Sequence, residues 1–250
     1  MDSSVTLTRG VVVGQVPAIM RVSQLRKCYG EQTVLADVTF DVRAGEVLGL
    51  IGPNGSGKTT LLEAVAGLLP DVAGEVLWHT RVLPLERRRD RIFFLPDGLK
   101  PWGEEYVARV IGYFAAIYRH TDARVAETVR AVGLDPVLRK RVSALSKGFG
   151  RRLVLALAFL TPHPILLLDE PFDGFDLRQT RDIMAMLRGI AARGRSFVLA
   201  IHQLADAERV CDRLVLLADG KVRGFGTLDE LRARAGRPAA GLEEVFLALT

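Results

Sequence analysis

Cysteine is scarce in this chain of 250 residues, with only Cys28 and Cys211. They stand far apart and match no redox or metal spacing, which excludes a disulfide scaffold and a cysteine-built metal site. Free thiols suit a reducing compartment. Long apolar runs are also missing. The longest, Leu153–Leu160, is stopped by Thr161-Pro162-His163-Pro164, whereas a membrane-spanning helix needs about 20 apolar residues. Val11–Val13 is too short for the core of a signal peptide, and only Arg9 precedes it. The chain is therefore expected to stay in the cytosol, and any membrane span must come from a partner. No low-complexity tract and no internal repeat is present. With 49% hydrophobic and 25% charged residues, disorder is excluded for the bulk of the chain. Aromatic residues are few, at 7%, and none interleaves with the basic runs Arg87–Arg91, Arg139–Arg141 and Arg151-Arg152. A stacking platform for single-stranded nucleic acid is thereby lacking. These runs read as solvated faces, with lipid headgroups as the second choice. The net charge of +5 permits an anionic partner without requiring one.

Strand and helix patterns alternate from about residue 20 onward. Val34–Val42, Glu46–Ile51, Ile92–Leu95, Ile165–Leu168, Phe197–Ile201 and Arg213–Leu217 read as strands. Thr59–Leu69, Tyr106–Tyr118, Arg124–Val132, Ser146–Leu160, Thr180–Ala192, Leu204–Val210, Leu228–Ala235 and Leu242–Leu249 read as helices. The alternation predicts an α/β fold with a mainly parallel sheet and helices on its faces. Helices crowd between residues 97 and 160, as an inserted helical lobe would. Residues 1–19 mix Ser, Thr, Gly and Pro and read as a poorly ordered extension to a domain covering 20–250.

The sharpest signal is Gly52-Pro53-Asn54-Gly55-Ser56-Gly57-Lys58-Thr59, which fits G-x-x-x-x-G-K-[ST] without mismatch. A strand precedes it and a helix follows. Successive backbone N–H groups cradle phosphate oxygens, so side chains must stay clear and glycines must reach unusual angles. The helix N-terminus adds its positive end. Lys58 supplies a cation for the outer phosphates. The Thr59 hydroxyl supplies a hard oxygen for Mg²⁺, and Thr60 follows on the same turn.

Two acids, Asp169 and Glu170, end the apolar run Ile165–Leu168. Unpaired carboxylates resist desolvation, so such an ending calls for a role. Beside a phosphate loop, Asp169 is expected to hold Mg²⁺ and Glu170 to polarise the attacking water. His202 follows the strand Phe197–Ile201 at the sheet edge where ligands sit in open α/β folds. It reads either as a contact to the γ-phosphate and the catalytic water or as a structural histidine.

Together these residues resemble the nucleotide-binding subunit of an ABC transporter over about residues 20–250. Leu145-Ser146-Lys147-Gly148-Phe149 stands where the family carries its signature, commonly L-S-G-G-Q, and Asp169 follows Ser146 by 23 positions. The resemblance implies a P-loop NTPase core with an antiparallel β edge, ATP and Mg²⁺ as ligands, and a separate transmembrane permease as partner. It implies a second ATP-binding subunit, paired head to tail so that Ser146 and the Gly148 N–H meet the γ-phosphate bound by the other copy. Tyr29 matches the aromatic that stacks on adenine, or else is an ordinary half-buried tyrosine. Asp176 matches the loop that crosses the dimer interface. The resemblance places the subunit on the inner face of the membrane, with the L-S-K-G pattern pointing to an exporter.

Three departures stand out. Asp97 occupies the slot where the family has a Mg²⁺-binding Gln, and reads either as an oxygen ligand or as a turn residue after Pro96. Lys147 replaces a glycine, its side chain directed outward or towards phosphate. Phe149 replaces a Gln. Leu99, Trp102 and Tyr106 are expected either to receive a short helix of the permease or to pack within the lobe. The alternative function is a soluble ATPase of the same family acting on nucleic acid or the ribosome. Such proteins carry two cassettes or a long coiled coil, and this chain has neither.

Overall fold

The structure is a computed structural model that describes residues 17–250, so residues 1–16 of the expected extension lie outside the described residues. The chain opens with β1 (Ala18–Tyr29), β2 (Gln32–Arg43) and β3 (Val47–Ile51), then α1 (Lys58–Ala66), β4 (Val72–Trp78), β5 (Arg81–Val82), α2 (Leu85–Arg88) and β6 (Ile92–Leu95). Helices α3 (Val107–Ile117), α4 (Asp122–Val132) and α5 (Lys147–Leu160) precede β7 (Ile165–Asp169). The remainder alternates through α6 (Leu177–Ala191), β8 (Ser196–Ile201), α7 (Leu204–Val210), β9 (Arg213–Ala218), β10 (Lys221–Gly226), α8 (Leu228–Arg234) and α9 (Leu242–Leu249).

These strands build two sheets. A six-stranded sheet has the order β10-β9-β3-β8-β7-β6, parallel except for the antiparallel β10. A four-stranded antiparallel sheet has the order β2-β1-β4-β5. Strands β3, β7, β8 and β9 are buried along their whole length, as parallel strands covered on both faces must be. Their period of two divides the interior. Leu48, Leu50, Ile165, Leu167, Val198 and Val215 face α1 and the antiparallel sheet. Ile51, Leu166, Leu168, Leu199 and Leu216 face the layer of α3 to α9. One sheet thus serves two cores, and its carboxyl edge collects the ends of β3, β7 and β8.

Several expectations need correction. Strand β1 already includes Ala18 and Ile19, so regular structure begins before Met20. Strands β1, β4 and β5 and helix α2 were not legible in the pattern. The reason lies in β1, where a register shift between Val22 and Leu25 and a positive φ of 50° at Gln24 break the alternation. Opposite it, Gly74 lies within β4 at φ 90°, and a Cβ there would stand 2.4 Å from the Gln24 carbonyl oxygen. Helix α1 stops at Ala66 rather than Leu69, because left-handed Gly67 and Leu68 turn their N–H groups back onto Ala64 and Glu63.

The basic runs are not merely solvated faces. Buried Arg88 donates to the Ala64 carbonyl at 2.7 Å, at the C-terminal end of α1, and Arg152 donates to Val132 at 2.6 Å, at the end of α4. Arg195 does the same for α5 through the Phe159 carbonyl at 2.9 Å. Cations at helix C-termini satisfy the last carbonyls and oppose the negative end of the macrodipole.

A buried ion pair joins the two sheets. Arg213, at the start of β9, donates to both carboxylate oxygens of buried Glu46 at 2.9 Å and to the Asp41 carboxylate of β2 at 2.7 Å. Removing one partner of such a pair strands the other charge, at a cost of about 3–5 kcal/mol. Arg213→Met is expected to lower the melting temperature by roughly 6–15 °C for a domain of this size, and Arg213→Met with Glu46→Leu to recover part of that loss in thermal denaturation.

Candidate functional site

The loop 52–57 joins β3 to α1, and its geometry follows from its glycines. A Cβ at Gly52 would stand 2.3 Å from the Leu217 carbonyl oxygen and 2.5 Å from Ser56 Oγ. Gly55 and Gly57 have φ of 81° and 99°, angles that side chains disfavour. Gly57 caps α1 without a side-chain acceptor, so the first N–H groups of the helix are unclaimed by a capping side chain. Pro53, Asn54 and Gly55 are exposed at the loop tip. Ser56 Oγ is buried and has no hydrogen-bond partner among the described residues. An orphaned hydroxyl, bare helix donors and a lysine at one concave turn fit the oxygens of a polyphosphate.

Lys58 folds back over this loop, donating to the carbonyls of Gly52 at 2.8 Å and Pro53 at 3.2 Å. Burial holds its ammonium below the ordinary lysine range, and the nearby carboxylates of Glu170 and Asp169 pull it back up. The Thr59 hydroxyl donates to Asp169 Oδ2 at 2.7 Å. Thr60 sits half-buried one residue further along α1.

Asp169 closes β7 on the α1 side and is only 4% exposed. Burial raises its carboxyl above the ordinary aspartate range, an effect opposed by the Thr59 hydrogen bond, reinforced by Asp97 and opposed by Lys58 and Arg151. Glu170 leaves the strand in a left-handed conformation, φ 47°, with its N–H donating to the Ala200 carbonyl at 3.0 Å. Non-glycine residues adopt that region rarely, and mostly where surroundings enforce it. His202, just past β8, places Nδ1 2.5 Å from Glu170 Oε2. Residues 32 positions apart in sequence thus meet because β7 and β8 are adjacent parallel strands.

The structure brings Lys58, Thr59, Asp169, Glu170 and His202 into one cluster. Ser146 and Gly148 lie elsewhere. Ser146 caps α5, its Oγ accepting from the Phe149 N–H at 3.4 Å. Gly148 packs against the turn before α6, where a Cβ would stand 3.4 Å from the Gly174 carbonyl oxygen. Among the described residues, neither hydrogen-bonds to the phosphate loop. Lys147 turns to Asp173, with Nζ 2.8 Å from Oδ2. That contact, above all its hydrogen bond, holds the Asp173 carboxyl below the ordinary aspartate range. Asp176 caps α6, accepting from the Gln179 N–H at 2.8 Å. Tyr29 is half exposed at the end of β1, with Lys27 Nζ 4.9 Å above its ring. Leu99, Trp102 and Tyr106 are all exposed, Trp102 by 66%, which removes core packing as their role. Trp102 meets Tyr113 edge to face at 6.0 Å.

One residue escaped the sequence reading. Arg151, placed there among the solvated runs, is 7% exposed and donates to the carbonyls of Asp169, at 2.6 Å, and Glu170. Its Nη1 lies 3.7 Å from Asp97 Oδ1. Its place five residues after the signature serine was visible, but nothing in sequence distinguishes it from Arg152.

The family model for ABC transporters matches residues 35–173. A Nod factor export ATP-binding protein I of Bradyrhizobium diazoefficiens is 35% identical over 216 residues, covering 83% of this chain and 70% of that protein. The linearmycin resistance ATP-binding protein LnrL of Bacillus subtilis is 25% identical, covering 92% and 78%. A solved structure described as the ATP-binding subunit of an ABC transporter superposes with a TM-score of 0.84 at 31% identity, over 92% of this chain and 99% of that one. A phosphate loop at the carboxyl edge of a parallel sheet, the match across 35–173 and these relatives lead to one assignment: the chain belongs to the ABC transporter family as an ATP-binding subunit.

Proposed function

We propose that this subunit hydrolyses ATP with Mg²⁺ and that hydrolysis drives an export permease of the membrane. The contact between Glu170 and His202, at the ends of adjacent strands beside the phosphate loop, carries this reading. The loop N–H groups and Lys58 bind the phosphates, and Tyr29 offers its exposed ring to the adenine. Thr59 and Asp169 provide two hard oxygens for Mg²⁺, with Asp97 as a third candidate. The described residues hold no group of three His, Cys, Asp or Glu side chains suited to a metal. That accords with a cation held chiefly by substrate phosphates and a few protein oxygens. Bound there, Mg²⁺ supplies neutralisation of the phosphate oxygens.

Glu170 accepts a proton from water as the water oxygen bonds to the γ-phosphorus and the bond to the ADP oxygen breaks. His202 fixes the Glu170 carboxylate and faces the γ-phosphate. A second subunit supplies Ser146 and Gly148 across each bound ATP, with Asp176 at the interface, so that loss of the γ-phosphate loosens the pair. Leu99, Trp102 and Tyr106 form the exposed apolar surface for the permease. No helix among the described residues is long and apolar enough to cross a membrane, and the subunit would sit on the cytoplasmic face. The names of the relatives in Bradyrhizobium and Bacillus, one for export and one for resistance, favour export over import.

Native purification from gently solubilised membranes is expected to yield a multi-spanning protein at comparable abundance; ribosomal partners without one would move the function to the soluble alternative. Glu170→Gln is expected to lower ATP turnover by about 10²–10³-fold while ATP still binds, and near-parental turnover would remove Glu170 from its role. The raised Asp169 carboxyl means that its ionised form costs stability. That cost is absent well below the ordinary aspartate value of 3.8 and grows as pH rises through the raised one. Without nucleotide, Asp169→Asn should therefore melt about 2 °C or more above the parent at neutral pH, the gap closing towards pH ~4, while Mg²⁺-dependent hydrolysis is lost.

A further inference from the structure

The backbone at Glu170 is held from three sides. Its N–H donates to Ala200, its carboxylate meets His202, and its carbonyl accepts from Arg151. The same guanidinium takes the Asp169 carbonyl at 2.6 Å, so it spans both peptide groups that set the left-handed turn. Arg88, Arg152 and Arg195 each hold the C-terminal carbonyls of a helix. Arg151 instead projects from the first turns of α5 to the end of β7, next to the acid proposed as general base. Four carboxylates act on it, those of Asp97, Asp173, Asp169 and Glu170. Among the described residues its Nε is buried without a hydrogen-bond partner, and burial lowers its pKa from the ordinary arginine value. An arginine kept charged at that cost, where an apolar stem would fill the space, is doing more than filling it.

We infer that Arg151 is a positioning residue for hydrolysis: it locks the Asp169-Glu170 peptide so that the Glu170 carboxylate points at the attacking water, and its Asp97 contact ties that lock to the loop bearing Leu99 and Trp102. The inference rests on the reading of Glu170 as the base. Displacement of Asp97 frees one arm of the guanidinium, and the Glu170 turn then loses part of its restraint. An event at the exposed 97–102 loop is thereby transmitted to the base without passing through the nucleotide.

The test compares ATP turnover, KM, equilibrium ATP binding and melting temperature for the parent, Arg151→Met, Arg151→Lys, Glu170→Gln and the Arg151→Met, Glu170→Gln double variant. Arg151→Met keeps the apolar stem and removes every donor. It is expected to lower kcat about 30-fold or more with KM and ATP affinity within about threefold, since positioning acts on the transition state. Arg151→Lys restores the charge and one donor, and should regain about fivefold or more of the loss. On the Glu170→Gln background, Arg151→Met should lower the residual rate by less than about threefold, because both changes act on one step. A parental kcat, an equal loss on both backgrounds, or a loss confined to KM and ATP affinity would each overturn the role. Should Arg151→Met not fold, Arg151→Lys decides: a kcat lowered about sixfold at unchanged KM is expected, and a parental kcat overturns it. An active Glu170→Gln protein removes the base and this role together, whereas an inactive one beside fully active Arg151 variants removes Arg151 alone.

Discussion

Asp169 ends a strand that is buried along its whole length, and a carboxylate there has lost most of its water. Its neighbours can be understood as answers to that loss. Thr59 donates to it from α1, Lys58 lies near enough to act on it, and Arg151 approaches from α5. These three come from elements on both faces of the sheet, so the charge is balanced only in the complete fold. The compensation is incomplete, because the carboxyl stays above its ordinary range. A residual deficit of positive charge beside a phosphate loop is what a divalent cation would correct.

The parallel sheet was legible because burial on both faces leaves short, unbroken apolar runs. Ile165–Leu168 and Phe197–Ile201 could hardly be anything else. Of the antiparallel sheet only β2 was legible, because its signal is alternation, and a bulge at Gln24 opposite Gly74 interrupts alternation on β1 and β4 at once. Helix α1 was read too long for a related reason. Leu68 and Leu69 continue the apolar composition, while the single backbone feature that ends the helix, left-handed Gly67, is a weak mark in sequence.

At the site, legibility followed the covalent chain. Gly52 to Thr59 is one contiguous segment whose chemistry is written in its order, and Asp169-Glu170 gains meaning from the run before it. What could not be read is what β-sheet pairing and helix packing bring in from elsewhere. His202 could be placed at the right edge but not against Glu170, since that pairing needs β7 beside β8. Arg151 and Arg152 are identical in sequence context and opposite in task, one turned to the strand end and one to the end of α4. Only the rotational setting of α5 separates them. The arginines that fold back onto helix ends also explain why charge runs misled: the long apolar stem lets a cation lie buried with its head on carbonyls.

The alternation within β3, β7, β8 and β9 makes the central sheet a partition between two interiors that share few side chains. Substitutions at Ile165, Leu167 or Val198 are felt on the side of α1 and its phosphate loop, and those at Leu166, Leu168 or Leu199 on the side of the helices. Evolution can therefore rework the apolar packing of the helical layer through a set of positions that do not pack on α1, while Arg151, which reaches from that layer to Asp169 and Glu170, stands outside that freedom. A family in which one chemical engine serves many different membrane partners would profit from that independence, and here it arises from nothing more than the pleat of a strand.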